Sequence, residues 1–293
     1  MQAIEMIFGQ GGPEDAHDVL ERGDIVMFRE TPFEMPAEER DFILGVRLNP
    51  EFHKNIAYKP NADRISGVAK LESGAVERLH SILRSYSRRT IDFAAKVLPR
   101  YAQRWKADYA SLRPVEEQGR ELRLKKRNDL LHTDAFPTRP TNGDLILRIF
   151  TNVNPAKSRV WITSDPFEKL AQRYALSAGL KNAARPDPLF GVRKAMHSIG
   201  LPVIARPPYD RFMLGFHDYL KMNEEYQRDC PKYRFEFPPG ATWMVFTDVV
   251  PHSVESGQFA MEQTMIVAHD SLAQPSRAPI AILEKLAGRG LAA

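Results

Sequence analysis

Asp144-Leu-Ile-Leu-Arg-Ile-Phe-Thr-Asn-Val153 is the stretch of this chain that decides its fold class. It is rich in β-branched and aromatic residues and follows an Asn142-Gly143 turn, so it predicts a β-strand. Further strands are predicted on both sides of a helical region, at 159–163, 233–237, 241–249 and 259–268. The intervening region has the apolar spacing of helices, at 166–177, 188–199 and 209–226.

This order of elements has no alternating strand–helix–strand rhythm, which argues against a doubly wound sheet. It favours a mainly β fold with helices: a double-stranded β-helix core (jelly roll, cupin-like) with an α-helical N-terminal layer and a helical insertion. The chain has 293 residues and is 43% apolar, enough to bury such a core in one domain. We expect a single domain over 1–293, with a helical and strand cover at 1–123, the core at 124–270, the insertion at 165–230 and a C-terminal tail at 271–293.

The N-terminal cover contains one long helical pattern. From Ser73 to Trp105, apolar residues recur at three- and four-residue steps, which predicts one amphipathic helix with a kink at Pro99. Before it, Gly23–Phe28 predicts a strand and Ala37–Leu48 predicts a helix. We expect the long helix to cover one face of a sheet.

The cysteine content restricts the chemistry open to this chain. With Cys230 as its one cysteine, an intramolecular disulfide, a thiolate-rich zinc site and an iron–sulfur cluster are excluded. Any metal must therefore be held by His and carboxylate side chains. The N-terminal sequence lacks a basic region followed by an apolar core, and no apolar run approaches ~18 residues. We expect a cytoplasmic protein.

His132-Thr-Asp134 places two potential metal ligands two residues apart, and in a strand such side chains share a face. His252, which follows a predicted strand, is the best candidate for a second histidine. Two histidines and one carboxylate are the ligand set that leaves open positions on Fe(II) in oxygenases. The triplet alone also fits an ordinary strand histidine, but the later Gly240–Gly257 stretch strengthens the metal interpretation. Of the other histidines, His269 is the competitor to His252, and the rest, including His217, are predicted to be structural or at the surface.

Three segments of the chain carry a family resemblance: Glu21–Phe28 with Pro32-Phe33 after it, His132–Phe136, and Pro251–Gln258. The core from about Leu124 to Asp270 resembles the Fe(II)/2-oxoglutarate-dependent oxygenases. The chain is most similar to the Kdo hydroxylases of lipopolysaccharide biosynthesis, which hydroxylate the sugar 3-deoxy-D-manno-oct-2-ulosonic acid (Kdo) of Kdo-lipid A at C3. The resemblance implies an enzyme that uses Fe(II), 2-oxoglutarate as cosubstrate and O2. It also implies that His132, Asp134 and His252 are the metal ligands and catalytic residues.

One departure from the family pattern concerns the cosubstrate. In many such oxygenases, an arginine downstream of the second metal histidine binds the distal carboxylate of 2-oxoglutarate, but this chain has Met261-Glu-Gln-Thr-Met265 there. Arg148 is the predicted replacement, because an unpaired guanidinium inside an apolar strand would be costly. The alternative is that Arg148 faces solvent from an edge strand. Asn152, on the same strand, is also predicted to bind the cosubstrate, whereas Asn154 before Pro155 is equally consistent with a turn residue.

The charge distribution bears on the partners. A formal net charge of +4 is mild and fits an anionic substrate, an anionic membrane surface or nucleic acid. We expect a glycolipid or another small anionic substrate, and no nucleic acid. The basic cluster of Arg123, Lys125, Lys126 and Arg127 comes just before the metal ligands and is predicted to contact the cytoplasmic face of the inner membrane, although it also fits a solvated charged strand.

Two alternative functions stay open from the sequence. One is a 2-oxoglutarate-dependent hydroxylase of another small acid, amino acid or peptide, and the other is a non-catalytic cupin-like metal-binding protein. Succinate release that depends on Fe(II) and substrate distinguishes an enzyme from a binding protein. A nucleic-acid oxygenase, which rests on the basic pI alone, would show steeply salt-dependent DNA binding.

Overall fold

The structure is a computed structural model that describes residues 1–7, 9–10, 15–49, 55–68 and 73–292. Its strands are β1 (Ala3–Glu5), β2 (Ile25–Phe28), β3 (Ile56–Lys59), β4 (Arg64–Ser66), β5 (Trp105–Arg113), β6 (Leu145–Asn152), β7 (Arg159–Thr163), β8 (Tyr233–Phe237), β9 (Thr242–Phe246), β10 (His252–Ser256) and β11 (Ala260–Val267). The main sheet has the order β1-β2-β9-β6-β11-β5-β3-β4, and the minor sheet has the order β10-β7-β8.

The helices lie before, between and after these strands. They are α1 (Ala16–Glu21), α2 (Ala37–Gly45), α3 (Ser73–Val97), α4 (Pro99–Ala102), α5 (Phe167–Tyr174), α6 (Leu180–Ala183), α7 (Phe190–Ser198), α8 (Pro208–Met222), α9 (Glu224–Asp229) and α10 (Pro279–Ala287). Helices α5 to α9 lie between β7 and β8, where the sequence predicts the insertion. Within the described ranges, none of the helices combines the length and the apolar character needed to cross a bilayer.

The fold-deciding stretch forms β6, in the middle of the main sheet. This strand is antiparallel to β9 on one side and to β11 on the other, so its backbone groups pair along both edges. All of its side chains are buried except Arg148, which is partly buried. Burial on both faces explains why the strand reads as a nearly continuous apolar run. The main and minor sheets enclose a cavity, so the predicted β core with packed helices is confirmed.

Helix α3 packs against one face of the main sheet, as its amphipathic pattern predicts. Its buried Leu79 and Leu83 belong to the same hydrophobic cluster as Ile56 of β3 and Leu112 of β5. Strand alternation places Ala110 and Leu112 on the helix side of β5, and Ser111 and Arg113 on the cavity side. The long helix therefore closes the sheet from outside.

The predicted continuation of this helix to Trp105 is wrong. The helix ends at Val97, a four-residue helix begins at Pro99, and Trp105 begins β5. Proline explains the break, because it disfavours a helical conformation of the preceding residue, and Leu98 has φ −124° and ψ 58°. Strand β5 then pairs with β11, so the chain before residue 124 supplies interior strands to the main sheet as well as a helical layer over it.

Candidate active site

A cavity of about 500 Å³ lies between the two sheets. Every strand that borders it contributes side chains from alternate positions, which is the two-residue period of a strand. The inward pairs are Ser111 and Arg113 on β5, Arg148 and Phe150 on β6, Arg159 and Trp161 on β7, His252 and Val254 on β10, and Glu262 and Thr264 on β11. The wall is thus unusually rich in charged groups for an interior surface.

His132 and His252 meet at the edge of the minor sheet. They form an isolated antiparallel bridge, in which each backbone N–H donates to the other residue's carbonyl oxygen, at 3.2 and 2.9 Å. Around His132, the predicted strand is therefore a single β-bridge. His252 was predicted to follow the end of a strand, but it is the first residue of β10. Asp134 is fixed by its own N–H, which donates to the Thr247 carbonyl oxygen at 2.9 Å.

A backbone carbonyl oxygen fixes the imidazole orientation of each of the two histidines. Nδ1 of His132 lies 2.7 Å from the Leu130 carbonyl oxygen, and Nδ1 of His252 lies 2.9 Å from that of Val250. A carbonyl oxygen accepts only, so both Nδ1 atoms carry the proton and both Nε2 atoms offer a lone pair. Each Nε2 lies 3.9 Å from a carboxylate oxygen of Asp134. The three predicted ligands thus converge.

The protonation states fit a divalent metal. Burial lowers the pKa of His132 well below its ordinary value and also lowers the pKa of His252, so both rings are neutral near pH 7. Burial would raise the pKa of Asp134, but Arg148, the two histidines and a hydrogen bond from Thr247 together outweigh burial and hold that pKa well below its usual range. Asp134 Oδ2 is buried and has no hydrogen-bond partner among the described residues, although Arg148 Nε lies 3.1 Å from it.

His217, on α8, is a site residue that the sequence interpretation missed. Its ring lies edge-on to that of His132 with centroids 4.8 Å apart, and its Nδ1 lies 2.8 Å from the Thr133 carbonyl oxygen. One ligand atom each from His132, Asp134 and His217 lie within 4.8 Å of one another. His217 thus stands beside the donor set and holds the loop between its first two members. The tautomers do not distinguish His217 from His252, because each Nδ1 faces a backbone carbonyl oxygen. His252 lies equally near His132, with ring centroids 4.8 Å apart, and its Nε2 is 3.9 Å from Asp134 Oδ2.

His269, the predicted competitor, is placed elsewhere. Its Nδ1 lies 3.1 Å from Asp144 Oδ1, and it does not line the cavity. Of these two histidines, His252 is therefore the better candidate for the second metal ligand.

Arg148 faces the cavity, where it joins a buried ionic chain. Its Nε lies 3.1 Å from Asp134 Oδ2 without hydrogen-bond geometry, and its Nη1 lies 3.0 Å from Glu262 Oε1. Arg113 donates to the other oxygen of Glu262. Burial would raise the pKa of Glu262, but these two guanidinium groups lower it to about 2. The alternative of a solvent-facing Arg148 is thus excluded, although both of its carboxylate partners belong to the protein.

Arg159 has a different environment at the same cavity. It is 1% exposed, and its Nη1 donates to the Gly257 carbonyl oxygen at 3.0 Å. Its Nε and Nη2 are buried without a hydrogen-bond partner among the described residues. Gly257, at φ +124°, is required here, since an added Cβ would lie 2.9 Å from the Arg159 Cα. Burial lowers the pKa of Arg159 to about 10, which marks a cation in need of an anion.

Asn152 does not reach the cavity, which corrects the prediction that it binds the cosubstrate. Its Nδ2 donates to the carbonyl oxygens of Lys157 and Phe237, both at 2.9 Å, and its Oδ1 accepts from the Asn154 N–H at 3.1 Å. Because its amide is fully used by backbone groups, Asn152 holds the loop between β6 and β7. Asn154 Oδ1 accepts from the N–H groups of Ala156 and Lys157, as a turn residue does.

Two residues of the basic cluster predicted to face a membrane, Lys125 and Lys126, border the cavity, and Lys125 pairs with Asp218 at 2.6 Å. Arg127 lines a second cavity instead. This larger cavity of about 1100 Å³ lies by the outward faces of β7 and β10, next to residues 117–131, and contains none of the proposed ligands. The larger cavity is therefore not the one that contains the candidate metal ligands.

Known proteins share these features. Residues 9–290 match the model of the 3-deoxy-D-manno-oct-2-ulosonic acid (Kdo) hydroxylase family. The fold is similar to that of the Kdo hydroxylase KdoO, a non-heme Fe(II) α-ketoglutarate-dependent dioxygenase, in complex with α-ketoglutarate and Fe(III), with a TM-score of 0.85 and 33% identity over 100% of this chain and 98% of that chain. KdoO in complex with cobalt(II) gives a TM-score of 0.81 and 34% identity over 95% of this chain and 91% of that chain. No curated protein matches the sequence significantly.

Proposed function

This chain belongs to the Kdo hydroxylase family, and from that premise we propose that it is an Fe(II)- and 2-oxoglutarate-dependent dioxygenase that hydroxylates a Kdo sugar. The proposal rests on the convergence of two neutral Nε2 atoms and one carboxylate in a cavity between the sheets, with each Nε2 3.9 Å from an oxygen of Asp134. The family predicted from the sequence is the family that the chain matches.

We propose that His132, Asp134 and His252 hold the metal. Fe(II) bound there with 2-oxoglutarate would supply the activation of O2 and the oxidising power for hydroxylation. The protein's own part is to keep both imidazoles neutral and aimed, through the Leu130 and Val250 carbonyl oxygens. The same contacts would orient the histidines for zinc, cobalt or nickel, because nitrogen ligands do not favour Fe(II) over these ions.

For the distal carboxylate of the cosubstrate, the structure offers Arg159 beside the predicted Arg148. Arg148 already contacts Asp134 and Glu262, whereas Arg159 has two buried nitrogens that no described residue hydrogen-bonds. A carboxylate placed against Arg159 would satisfy both in bidentate fashion. We therefore propose Arg159 as the main anchor, with Arg148 holding Asp134 in its charged form.

The charges of the cavity support an anionic acceptor. Six basic residues line it, namely Arg113, Lys125, Lys126, Arg139, Arg148 and Arg159, together with three carboxylates, Asp134, Asp218 and Glu262. A divalent metal and the doubly charged cosubstrate would cancel each other, so a net charge of +3 is left over. A carboxylate such as that of Kdo would offset part of it. We propose the Kdo of Kdo-lipid A, hydroxylated at C3 during lipopolysaccharide biosynthesis, as the acceptor, and the cytoplasmic face of the inner membrane as the place of the reaction.

The test is incubation of the protein with Kdo-lipid A, Fe(II), ascorbate and 2-oxoglutarate, followed by mass analysis of the lipid and measurement of succinate. We expect one added oxygen per Kdo and matching succinate, both abolished in Asp134→Ala. A soluble Kdo saccharide is the second substrate and separates recognition of the sugar from recognition of the lipid. Hydroxylation of an amino acid or peptide with no product from either Kdo substrate would contradict the proposal.

A further inference from the structure

The surface arm formed by residues 185–206 contains a helix without a buried face. None of the described side chains of α7 within it is buried, and the same is true of the residues on both sides as far as Arg206. Large apolar side chains are nevertheless present, because Leu189 is 53% exposed, Val192 55%, Ile199 76% and Leu201 42%. None of these four belongs to, or packs against, the hydrophobic clusters of the described residues.

This exposure is concentrated in the arm. Eight large hydrophobic side chains are exposed among the described residues, and four of them lie between Leu189 and Leu201. Scattered exposed aliphatic residues are normal on protein surfaces, but four so close in sequence, with Val192 in α7 and the others just beyond its ends, indicate a contact site. Because no described side chain of α7 is buried, this helix also gains little tertiary stabilisation. The arm is therefore built to be covered.

Charge indicates what covers it. The arm has four basic residues and one acidic residue, so its net charge of +3 makes up most of the +4 of the whole chain. The acidic residue, Asp187, is already bound by Arg193 and Arg211. Arg185 and Lys194 are exposed. Basic residues interleaved with exposed aliphatic ones are the pattern of a helix that lies in the interface of an anionic bilayer.

The arm ends at the mouth of the catalytic cavity. Arg206 donates to the carbonyl oxygen of Pro137, which borders that cavity. Helix α8 begins directly after the arm, and its Leu214, His217 and Asp218 line the same cavity. On the other side, α8 contacts residues 124–126, where Leu124 is exposed between basic neighbours. Two basic and apolar surfaces thus flank the entrance.

We propose that the 185–206 arm docks on an anionic phospholipid bilayer and presents the cavity mouth to a glycolipid in that bilayer. The proposal rests on the proposed function, because a lipid-linked acceptor gives the docking its purpose. The aliphatic side chains enter the acyl boundary while the basic ones stay among the headgroups. The basic cluster at Arg123–Arg127, predicted from the sequence to dock, then forms the second edge of the same contact.

The experiment measures sedimentation of the protein with vesicles of phosphatidylglycerol and phosphatidylcholine, with pure phosphatidylcholine as the neutral reference. The test variant is Val192→Ser with Ile199→Ser. The matched control is Ile7→Ser with Leu176→Ser, which removes equally exposed aliphatic side chains outside the arm. We expect the test variant to lose about tenfold or more in binding to anionic vesicles, and the control to match wild type. Wild-type binding should also fall with salt.

Equal losses in the test and control variants, or no wild-type binding to anionic vesicles, would overturn the proposal. So would a wild-type dimer that the test variant converts to a monomer in light scattering, because the arm would then cover a second copy. Turnover on a soluble Kdo saccharide should be unchanged in the test variant, while turnover on Kdo-lipid A in vesicles falls. If wild type hydroxylates neither substrate, the proposed function fails, but the vesicle measurement still decides the docking.

Discussion

Replacing Arg159 by methionine should separate cosubstrate binding from stability. Methionine keeps an unbranched side chain of similar length, so the space beneath Gly257 stays filled. The variant loses the guanidinium that we propose binds the distal carboxylate of 2-oxoglutarate. It also removes a cation that is 1% exposed and lacks a carboxylate partner among the described residues. Affinity for the cosubstrate should fall while stability is unchanged or higher.

The magnitude follows from the burial of the cation. The decrease in the pKa of Arg159 to about 10 corresponds to about 3 kcal/mol that disfavours the charged form. A carboxylate bound against the guanidinium would recover an amount of this order, which is roughly 100-fold in affinity. We therefore expect the apparent KM for 2-oxoglutarate to rise about 100-fold in Arg159→Met. Metal affinity should change little, since Arg159 does not contact the ligands.

The assay is succinate formation as a function of 2-oxoglutarate concentration, with thermal unfolding of the same samples. Arg148→Met is the matched comparison, because it removes a guanidinium that contacts both Asp134 and Glu262. We expect Arg148→Met to unfold at a lower temperature, since it leaves two buried carboxylates less compensated. A wild-type KM in Arg159→Met together with a raised KM in Arg148→Met would refute the reasoning and assign the anchor to Arg148.

Three further outcomes are expected. Asp134→Ala should lose metal and activity but keep its circular dichroism spectrum, and turnover in this variant would contradict the ligand set. His217→Ala should weaken metal binding by about tenfold in a Co(II) titration, because the contact of His217 with the Thr133 carbonyl no longer holds the ligand loop; unchanged affinity would leave His217 without this role. Glu262→Gln should lose about 3–5 kcal/mol of stability at neutral pH, since it breaks a buried ion pair. The pKa of Glu262 is lowered to about 2, so its stabilisation is present above pH ~4.5 and is lost as pH falls through 2; chemical denaturation at several pH values should show the gap closing.

The sequence predicts best those strands in which the two-residue alternation of side chains is uninterrupted. Strand β7 spans the predicted residues, and β6 differs by one residue at each end. Strand β5 was missed because its register with β11 shifts between Gln263 and Met265, where two residues of β5 face one of β11. Such a bulge reverses the alternation of side chains halfway along the strand, so no simple two-residue pattern is left to read.

The residues of the site also fall into those that the sequence predicts and those that it does not. His132, Asp134 and His252 were found because ligand chemistry restricts the residue types and because two of the three are close in sequence. His217 was missed because its approach to His132 depends on how α8 docks, which side-chain spacing within the helix does not encode. Arg159 is the first residue of β7, a position where the sequence predicts an exposed charge. Its burial depends on Gly257, which is distant in sequence and leaves room for it.

The pairing of Thr163 with Tyr233 across β7 and β8 has a consequence for how the protein folds. The entire insertion is one loop of that strand pair, and the bridge between His132 and His252 encloses the insertion as well. Contacts between residues so far apart in sequence form late in folding. Closing the long loop costs conformational entropy before the strand pairing can stabilise it. We therefore expect the donor set to form only when these long-range contacts form. A metal ion in the refolding buffer should slow unfolding without accelerating folding, and metal binding reports that the last long-range contacts have formed.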